Sequence, residues 1–149
     1  MEKIVETLVS QHTELQVLLG EIEQKATCAS DCAEIVTLHE LFLKKLEGHL
    51  SLEDEFFYPK ILEGMRRKNI ASEQVDKTKL FINKMKDIEM QVVQFFDTYK
   101  TEESIQEKKE AYLRELKDIM TILIMRIETE EDSIYIMWDF FGEKESACV

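Results

Sequence analysis

His49 and Glu53 stand one helical turn apart, and so do Arg126 and Glu130. On a helix, side chains at i and i+4 share one face, so an imidazole nitrogen and a carboxylate oxygen at this spacing can meet on one cation. The Arg126/Glu130 pair has the same spacing with a cation built in. His12 is the third residue of this kind. By itself a His-x-x-x-Glu pair is common; its weight here comes from the apolar stripes that these residues interrupt. His39 precedes His49 by ten residues, which turns it about 80° off that face and predicts a surface or flank residue. Cys28, Cys32 and Cys148 are an odd number of thiols without a Cys-x-x-Cys pair, so they read as ordinary reduced cysteines. No nucleophile motif, phosphate loop or cofactor fingerprint accompanies the histidines.

The elements that must position these groups are four amphipathic segments. The first, residues 2–25, carries the stripe Ile4, Leu8, His12, Leu15, Leu19, Ile22, in the three-and-four steps of a helix. Asp31 and Glu34 form a capping-box pattern that opens the second segment, residues 32–66, with the stripe Leu38, Phe42, Leu46, His49, Glu53, Phe56. Pro59 lacks the amide proton of the helical ladder and predicts a kink or an end. Ser72 is the expected cap of the third segment, which runs to Tyr99 with Lys77, Phe81, Met85, Ile88, Val92, Phe95 and Tyr99 on its face. The fourth opens near Thr101 and runs to Trp138 with Tyr112, Leu116, Ile119, Leu123, Arg126, Glu130, Ile134 and Met137. Four long helices with short breaks predict an all-α, up-down-up-down four-helix bundle, one domain over residues 1–149. Antiparallel pairing then sets His12 level with His49, and Arg126 level with Lys77. All six ionisable groups, Glu53 and Glu130 included, fall at mid-bundle.

A faint repeat supports two equivalent halves. His49, Glu53 and Tyr58 are matched by Arg126, Glu130 and Tyr135 at a constant offset of 77 residues. Tyr58, Tyr112 and Tyr135 are core packers by default, with the option of a bond to a seam carboxylate. Phe140 and Phe141 beside Trp138 are candidates for a partner contact or for covering the end of the bundle.

Composition narrows the function. With 31 Asp+Glu against 19 Lys+Arg the net charge is −12, which argues against nucleic acid or an anionic membrane as partner. No apolar run approaches the roughly 20 residues of a membrane span. The opening Met1-Glu2-Lys3-Ile4 has no basic and apolar signal pattern, so a cytoplasmic, reduced setting is expected.

From Ile4 to Trp138 the chain resembles the hemerythrin-like, or HHE cation-binding, family. The stretch His49-Leu-Ser-Leu-Glu53-Asp54-Glu55-Phe56-Phe57-Tyr58-Pro59 is similar to the family's His-x-x-x-Glu helix, and His12 to its opening histidine. The resemblance implies a four-helix bundle around a carboxylate-bridged di-iron site. It also shows departures. Lys77 and Phe81 stand where the third helix supplies histidine, Arg126 replaces the histidine of the fourth, and no histidine follows His49.

Three readings follow. In the first, His12, His49, Glu53 and Glu130 bind a cation, iron by resemblance, with zinc or manganese compatible with the donor set. In the second, Lys77 and Arg126 replace the metals and neutralise Glu53 and Glu130, leaving a metal-free bundle that serves as an interaction or signalling module with a protein partner. In the third, the buried His/Glu pair does acid–base work. The first is preferred, with a binding or sensing role rather than an enzymatic one.

Overall fold

The computed structural model describes residues 3–28 and 31–142. The expectation for Cys148 lies outside them. The described residues are helical throughout, apart from short connections, and none of their helices is long and apolar enough to cross a membrane. In chain order they are α1 (Lys3–Thr27), α2 (Cys32–Leu52), a π-helical turn (Glu53–Phe57), α3 (Tyr58–Arg67), α4 (Ser72–Thr98), α5 (Glu102–Glu107), α6 (Lys109–Thr129), a second π-helical turn (Glu130–Ile134) and α7 (Tyr135–Phe141).

Local chemistry explains most boundaries. Asp31 caps α2 by accepting from the Ala33 amide at 2.9 Å, but Glu34 does not close the expected box; its carboxylate pairs with Lys25 at 3.2 Å instead. Asn69 ends the second segment at φ 56°, the left-handed region that Asn tolerates, and the Ile70 amide bonds back to the Met65 carbonyl. Ala71, not Ser72, is the cap of α4. Thr101 and Ser104 exchange side-chain-to-backbone bonds in a capping box at α5. The expected fourth helix is therefore broken at Lys108 into α5 and α6.

Both π turns begin at a glutamate, and they lie 77 residues apart, like the repeat itself. The turn amide closes on a carbonyl five residues back: Tyr58 N–H to Glu53 O, and Tyr135 N–H to Glu130 O. The extra residue per turn moves the buried face on by one position. Phe57 is buried where the helical period predicts Phe56, which is 40% exposed, and Trp138 is buried where it predicts Met137. Pro59 neither ends nor interrupts the rod; it sits in the first turn of α3, where its missing donor leaves no bond broken.

α1 packs on α2 and α6, α4 on α6, α3 and α2, and α3 on α7. Two apolar cores result. One holds Leu15, Leu19, Ile35, Phe42, Leu46, Phe96, Tyr112 and Leu123; the other holds Leu8, Phe57, Ile61, Ile82, Ile134 and Trp138. Between them lies a polar layer of His12, His49, Glu53, Arg126 and Glu130, each buried.

Two placements correct the sequence reading. Lys77 is not in this layer: its side chain is 67% exposed and pairs with Glu73 at 3.7 Å. Seven residues before Met85, Thr78 lies about 20° off the Met85 face, whereas Lys77 lies about 80° off it. The buried run is Thr78, Ile82, Met85. His39 is buried, not flanking. It continues the steps Ile35, His39, Phe42, Leu46 closely; measured from distant His49, the drift of ten residues obscured that. The His39 Nδ1–H donates to the Tyr99 carbonyl at 3.3 Å, and Nε2 accepts from the Tyr112 hydroxyl at 2.7 Å. Burial holds the imidazole at about 4, below its ordinary 6.5, against the opposing pull of the Tyr99 carbonyl.

Two tests follow. A Cβ on Gly64 would lie 1.7 Å from the Phe141 carbonyl oxygen, whereas one on Gly20 meets nothing within 4 Å. Gly64→Ala is therefore expected to destabilise, by at least the 1–3 kcal/mol of an overpacked core, while Gly20→Ala stabilises by about 0.5–1 kcal/mol. Urea midpoints of the two variants check the opposite signs. For His39, the unfolded chain takes up the proton first as pH falls, so stability present above pH 6.5 is lost progressively toward pH 4. Between pH 6.5 and 5 this group removes about 2 kcal/mol. His39→Gln is expected to be less stable than wild type at pH 7, with the gap narrowing at pH 5; a gap independent of pH refutes the assignment.

Candidate metal centre

The polar layer is assembled from three rods. α1 brings His12. The end of α2 and the start of the first π turn bring His49 and Glu53. The end of α6 and the start of the second π turn bring Arg126 and Glu130. The rings of His12 and His49 lie 4.6 Å apart, centroid to centroid. His12 Nε2 is 3.4 Å from Glu130 Oε1, and His49 Nε2 is 3.2 Å from Glu53 Oε1. One donor atom from each of His12, His49, Glu53 and Glu130 lies within 4.8 Å of the others. These are the four residues singled out as ligands from the sequence.

Each imidazole is oriented from outside. A carboxylate oxygen only accepts, so the 3.0 Å contact of His12 Nδ1 with Glu131 Oε2 puts the ring proton on Nδ1. His49 Nδ1 likewise donates to the Gln11 amide oxygen at 2.8 Å. Both Nε2 lone pairs then face the glutamates. This is how protein histidines are usually held for a metal, with the second ring nitrogen fixed by an acceptor. Gln11 and Glu131 were not identified from the sequence. The signal for them was adjacency: Gln11 precedes His12, and Glu131 follows Glu130 in an acidic run that otherwise reads as solvated.

Arg126 reaches the same two carboxylate oxygens as the histidines. Its Nη2 donates to Glu53 Oε1 at 3.3 Å, its Nε lies 3.4 Å from Glu130 Oε1, and its Nη1 donates to the Met85 carbonyl at 3.0 Å. The two tyrosines of the repeat cross over. Tyr58 O–H donates to Glu130 Oε2 at 2.5 Å, and the Tyr135 hydroxyl lies 2.8 Å from Glu53 Oε2 and 3.0 Å from His12 Nε2.

Electrostatics divide the two carboxylates. Burial, and then the neighbouring Glu130 charge, raise Glu53 well above the carboxylate range. Burial works on Glu130 in the same direction, but the Arg126 charge and the hydrogen bond from Tyr58 outweigh it and hold it below the ordinary range. Two carboxyl groups this close do not both ionise readily, and Glu53 is the harder of the two to ionise. His49 is pushed down to about 3, by burial first and by His12 next, so it stays neutral. Burial opposes the charge of Arg126, and the two glutamates more than restore it.

The donor set fits a cation. A four-coordinate ion with bonds near 2.1 Å separates its ligand atoms by about 3.4 Å. The His12–Glu130 and His49–Glu53 separations, 3.4 and 3.2 Å, lie close to that value. Glu130 Oε1 is buried yet accepts no well-aligned hydrogen bond, although Arg126 and His12 are close. An orphaned acceptor beside two unprotonated imidazole nitrogens is what a metal would satisfy. Two imidazoles and two carboxylates suit iron, zinc or manganese.

Comparison with known proteins agrees with this chemistry. No curated protein and no solved structure matches the chain. The family described as the hemerythrin HHE cation binding domain matches residues 3–138. Helical rods that carry His12, His49, Glu53 and Glu130 into one buried layer, and a family match over nearly all of the described residues, lead to one conclusion: the chain belongs to the hemerythrin HHE cation-binding family.

Proposed function

We propose that the protein binds one divalent transition-metal cation through His12, His49, Glu53 and Glu130, in a binding or sensing role rather than an enzymatic one. The observation that carries this reading is the convergence of four buried donors, with both imidazoles turned inward by Gln11 and Glu131. Iron is the metal proposed from the family, and the donor set also accepts zinc or manganese. The ligand set is reduced: Arg126 contacts the same Oε1 atoms of both glutamates that the histidines face, where its charge repels a second cation. We further propose that the rods form an up-down-up-down four-helix bundle. Supporting this are the pairings of α1 with α2, α4 with α6, and α1 with α6, and the π turns that join α2 to α3 and α6 to α7 without a break.

One observation favours a second reading. With one proton on the glutamate pair, Arg126 alone balances the layer, so the same cluster is neutral without a metal. Arg126 would then be a permanent substitute for the cation, and the bundle an interaction module. The exposed Lys77 has no part in it.

Metal content separates the two. The untagged protein, by elemental analysis beside His49→Ala, is expected to hold one equivalent of iron, zinc or manganese, lost in the variant. At a free-metal concentration a hundred times Kd, binding adds about 2.7 kcal/mol, a rise in Tm of roughly 5–10 °C that chelator reverses. A folded wild type that stays metal-free after reloading, with no change in Tm, decides for the second reading. Arg126→Met gives a further check. Removing one partner of a buried ion pair typically destabilises by about 3–5 kcal/mol. Under the first reading, added metal restores much of that loss, because the cation takes over the neutralisation of Glu130; under the second, metal does not change the Tm of the variant.

A further inference from the structure

We propose that the groove between the first half of α4 and the rod formed by the second π turn and α7 binds a medium-chain monocarboxylate, its aliphatic body on the apolar floor and its carboxylate at Lys77. The proposal stands apart from the cation-binding reading: the groove is lined by none of the residues of the polar layer.

The groove exists because the buried faces are displaced. By regular helical steps Phe81 and Met137 belong to the core. The buried run of α4 is instead Thr78, Ile82, Met85, and beyond the second π turn the core place of Met137 goes to Trp138. Phe81 and Met137 are left half-buried, and both line a groove of about 410 Å³. Half-buried Ile70 and Phe141 line it as well, over the buried side chains of Met65 and Ile134. That volume falls in the range of small-molecule sites, which are concave and largely apolar. Two methionines in the lining suit a flexible aliphatic chain, because the thioether side chain adapts its shape. From Gln74 to Phe81 the groove follows about 10 Å of α4, room for an extended chain of roughly eight to ten carbons.

The charge of the lining selects the ligand's head. Lys77 is the charged residue of the groove; Gln74, Thr78 and Ser133 are its neutral polar members, and no carboxylate lines it. In a chain of net charge −12 this stands out. Three other surface grooves of similar size, 400–460 Å³, include Glu115 and Asp118, Glu21 and Glu34, or Asp76. Residues 60–79, which supply much of this wall, hold six Lys+Arg against three Asp+Glu. Lys68 adds a second cation at the opposite edge, 5.8 Å from the centre of the Phe141 ring. Lys77 and Phe81 are one helical turn apart, so the ammonium and the apolar wall share a face. The pairing of Lys77 with Glu73, at 3.7 Å between two largely exposed side chains, is weak and does not withhold the ammonium from a ligand. A cationic amphiphile meets repulsion here, and a neutral one leaves Lys77 unused. An aliphatic acid uses both the floor and the charge.

Titration with decanoate, octanoate and decylammonium, followed through the methionine methyl signals by NMR, tests this. Wild type is expected to bind decanoate saturably, with the signals of Met65 and Met137 moving and those of the exposed Met90 and Met125 staying in place. Octanoate is expected to bind about 4- to 15-fold more weakly, the effect of two methylenes half to fully buried. Decanoate is expected to outbind decylammonium by roughly 3- to 10-fold, although the net charge of the chain favours the cation. Lys77→Glu, at an exposed position, reverses that preference while the Met65 and Met137 signals still respond. Absence of saturable binding below about 1 mM, a wild-type preference for decylammonium, shifts at Met90 as large as those at Met137, or an unchanged preference in Lys77→Glu each overturns the proposal. Should Lys77→Glu not fold, Lys77→Gln, expected to bring decanoate and decylammonium to nearly equal affinity, decides. None of these outcomes bears on metal content, so this proposal and the cation-binding reading fail independently.

Discussion

A single guanidinium lies between two buried carboxylates, and much of the molecule is arranged around that fact. Glu53 is fully buried and Arg126 and Glu130 nearly so. Charges in such a place are tolerated only when paired and hydrogen-bonded. Arg126 meets this condition with three partners, Glu53, Glu130 and the Met85 carbonyl. Each partner comes from a different helical rod, so the pairing fixes the register of α2, α4 and α6 against one another. The apolar cores on either side favour burial in general but are less particular about register; the polar layer between them is the more directional restraint.

The π turns are part of the same constraint. Two carboxylates must enter the layer at one level, and beyond each of them a tyrosine must reach back to the opposite carboxylate. In a regular α-helix, Tyr58 lies five residues past Glu53 and is turned about 140° away from it. Widening one turn by a residue reduces that angle, so Glu53 and Tyr58 both face inward, and the same holds for Glu130 and Tyr135. π turns occur often at functional sites, and here the reason is geometric: they bring i and i+5 to one face.

Much of this was legible in the residues, and what was not has identifiable causes. Three-and-four steps gave α1, the outer part of α4 and most of α6, and the interruptions of those stripes named His12, His49, Glu53, Arg126 and Glu130. The pattern failed where the period itself changed. No periodicity argument that assumes 3.6 residues per turn anticipates Phe57 in place of Phe56, or Trp138 in place of Met137. It failed again at Lys77, where successive steps of four drift off the buried face, and at His39, judged against a reference too far along the helix. Gln11 and Glu131 were invisible for another reason: the residues that orient a ligand are polar and half-buried, and nothing in their spacing separates them from solvated neighbours.

The 77-residue repeat gains meaning from the one of its three matched positions at which the halves differ. Glutamate and tyrosine occur in both halves and make the same bonds, exchanged between halves. At the remaining position one half has His49 and the other Arg126. A neutral imidazole offers a lone pair, whereas a guanidinium offers only donors and a permanent charge. That single difference divides the layer into a ligand side and a charge side. On the first, His12 and His49 point lone pairs at Glu130 and Glu53; on the second, Arg126 draws on the same two oxygens. An approximately symmetric scaffold with two histidines at this position would have two comparable places for a cation. With one histidine and one arginine, the charge that a second ion would bring is already supplied by the chain, and the attraction of both glutamates for a first ion is correspondingly reduced. In the proposed cation-binding reading, affinity would be set by a contest between Arg126 and the metal for the two Oε1 atoms, with the phenols of Tyr58 and Tyr135 bonded to the other oxygen of each carboxylate.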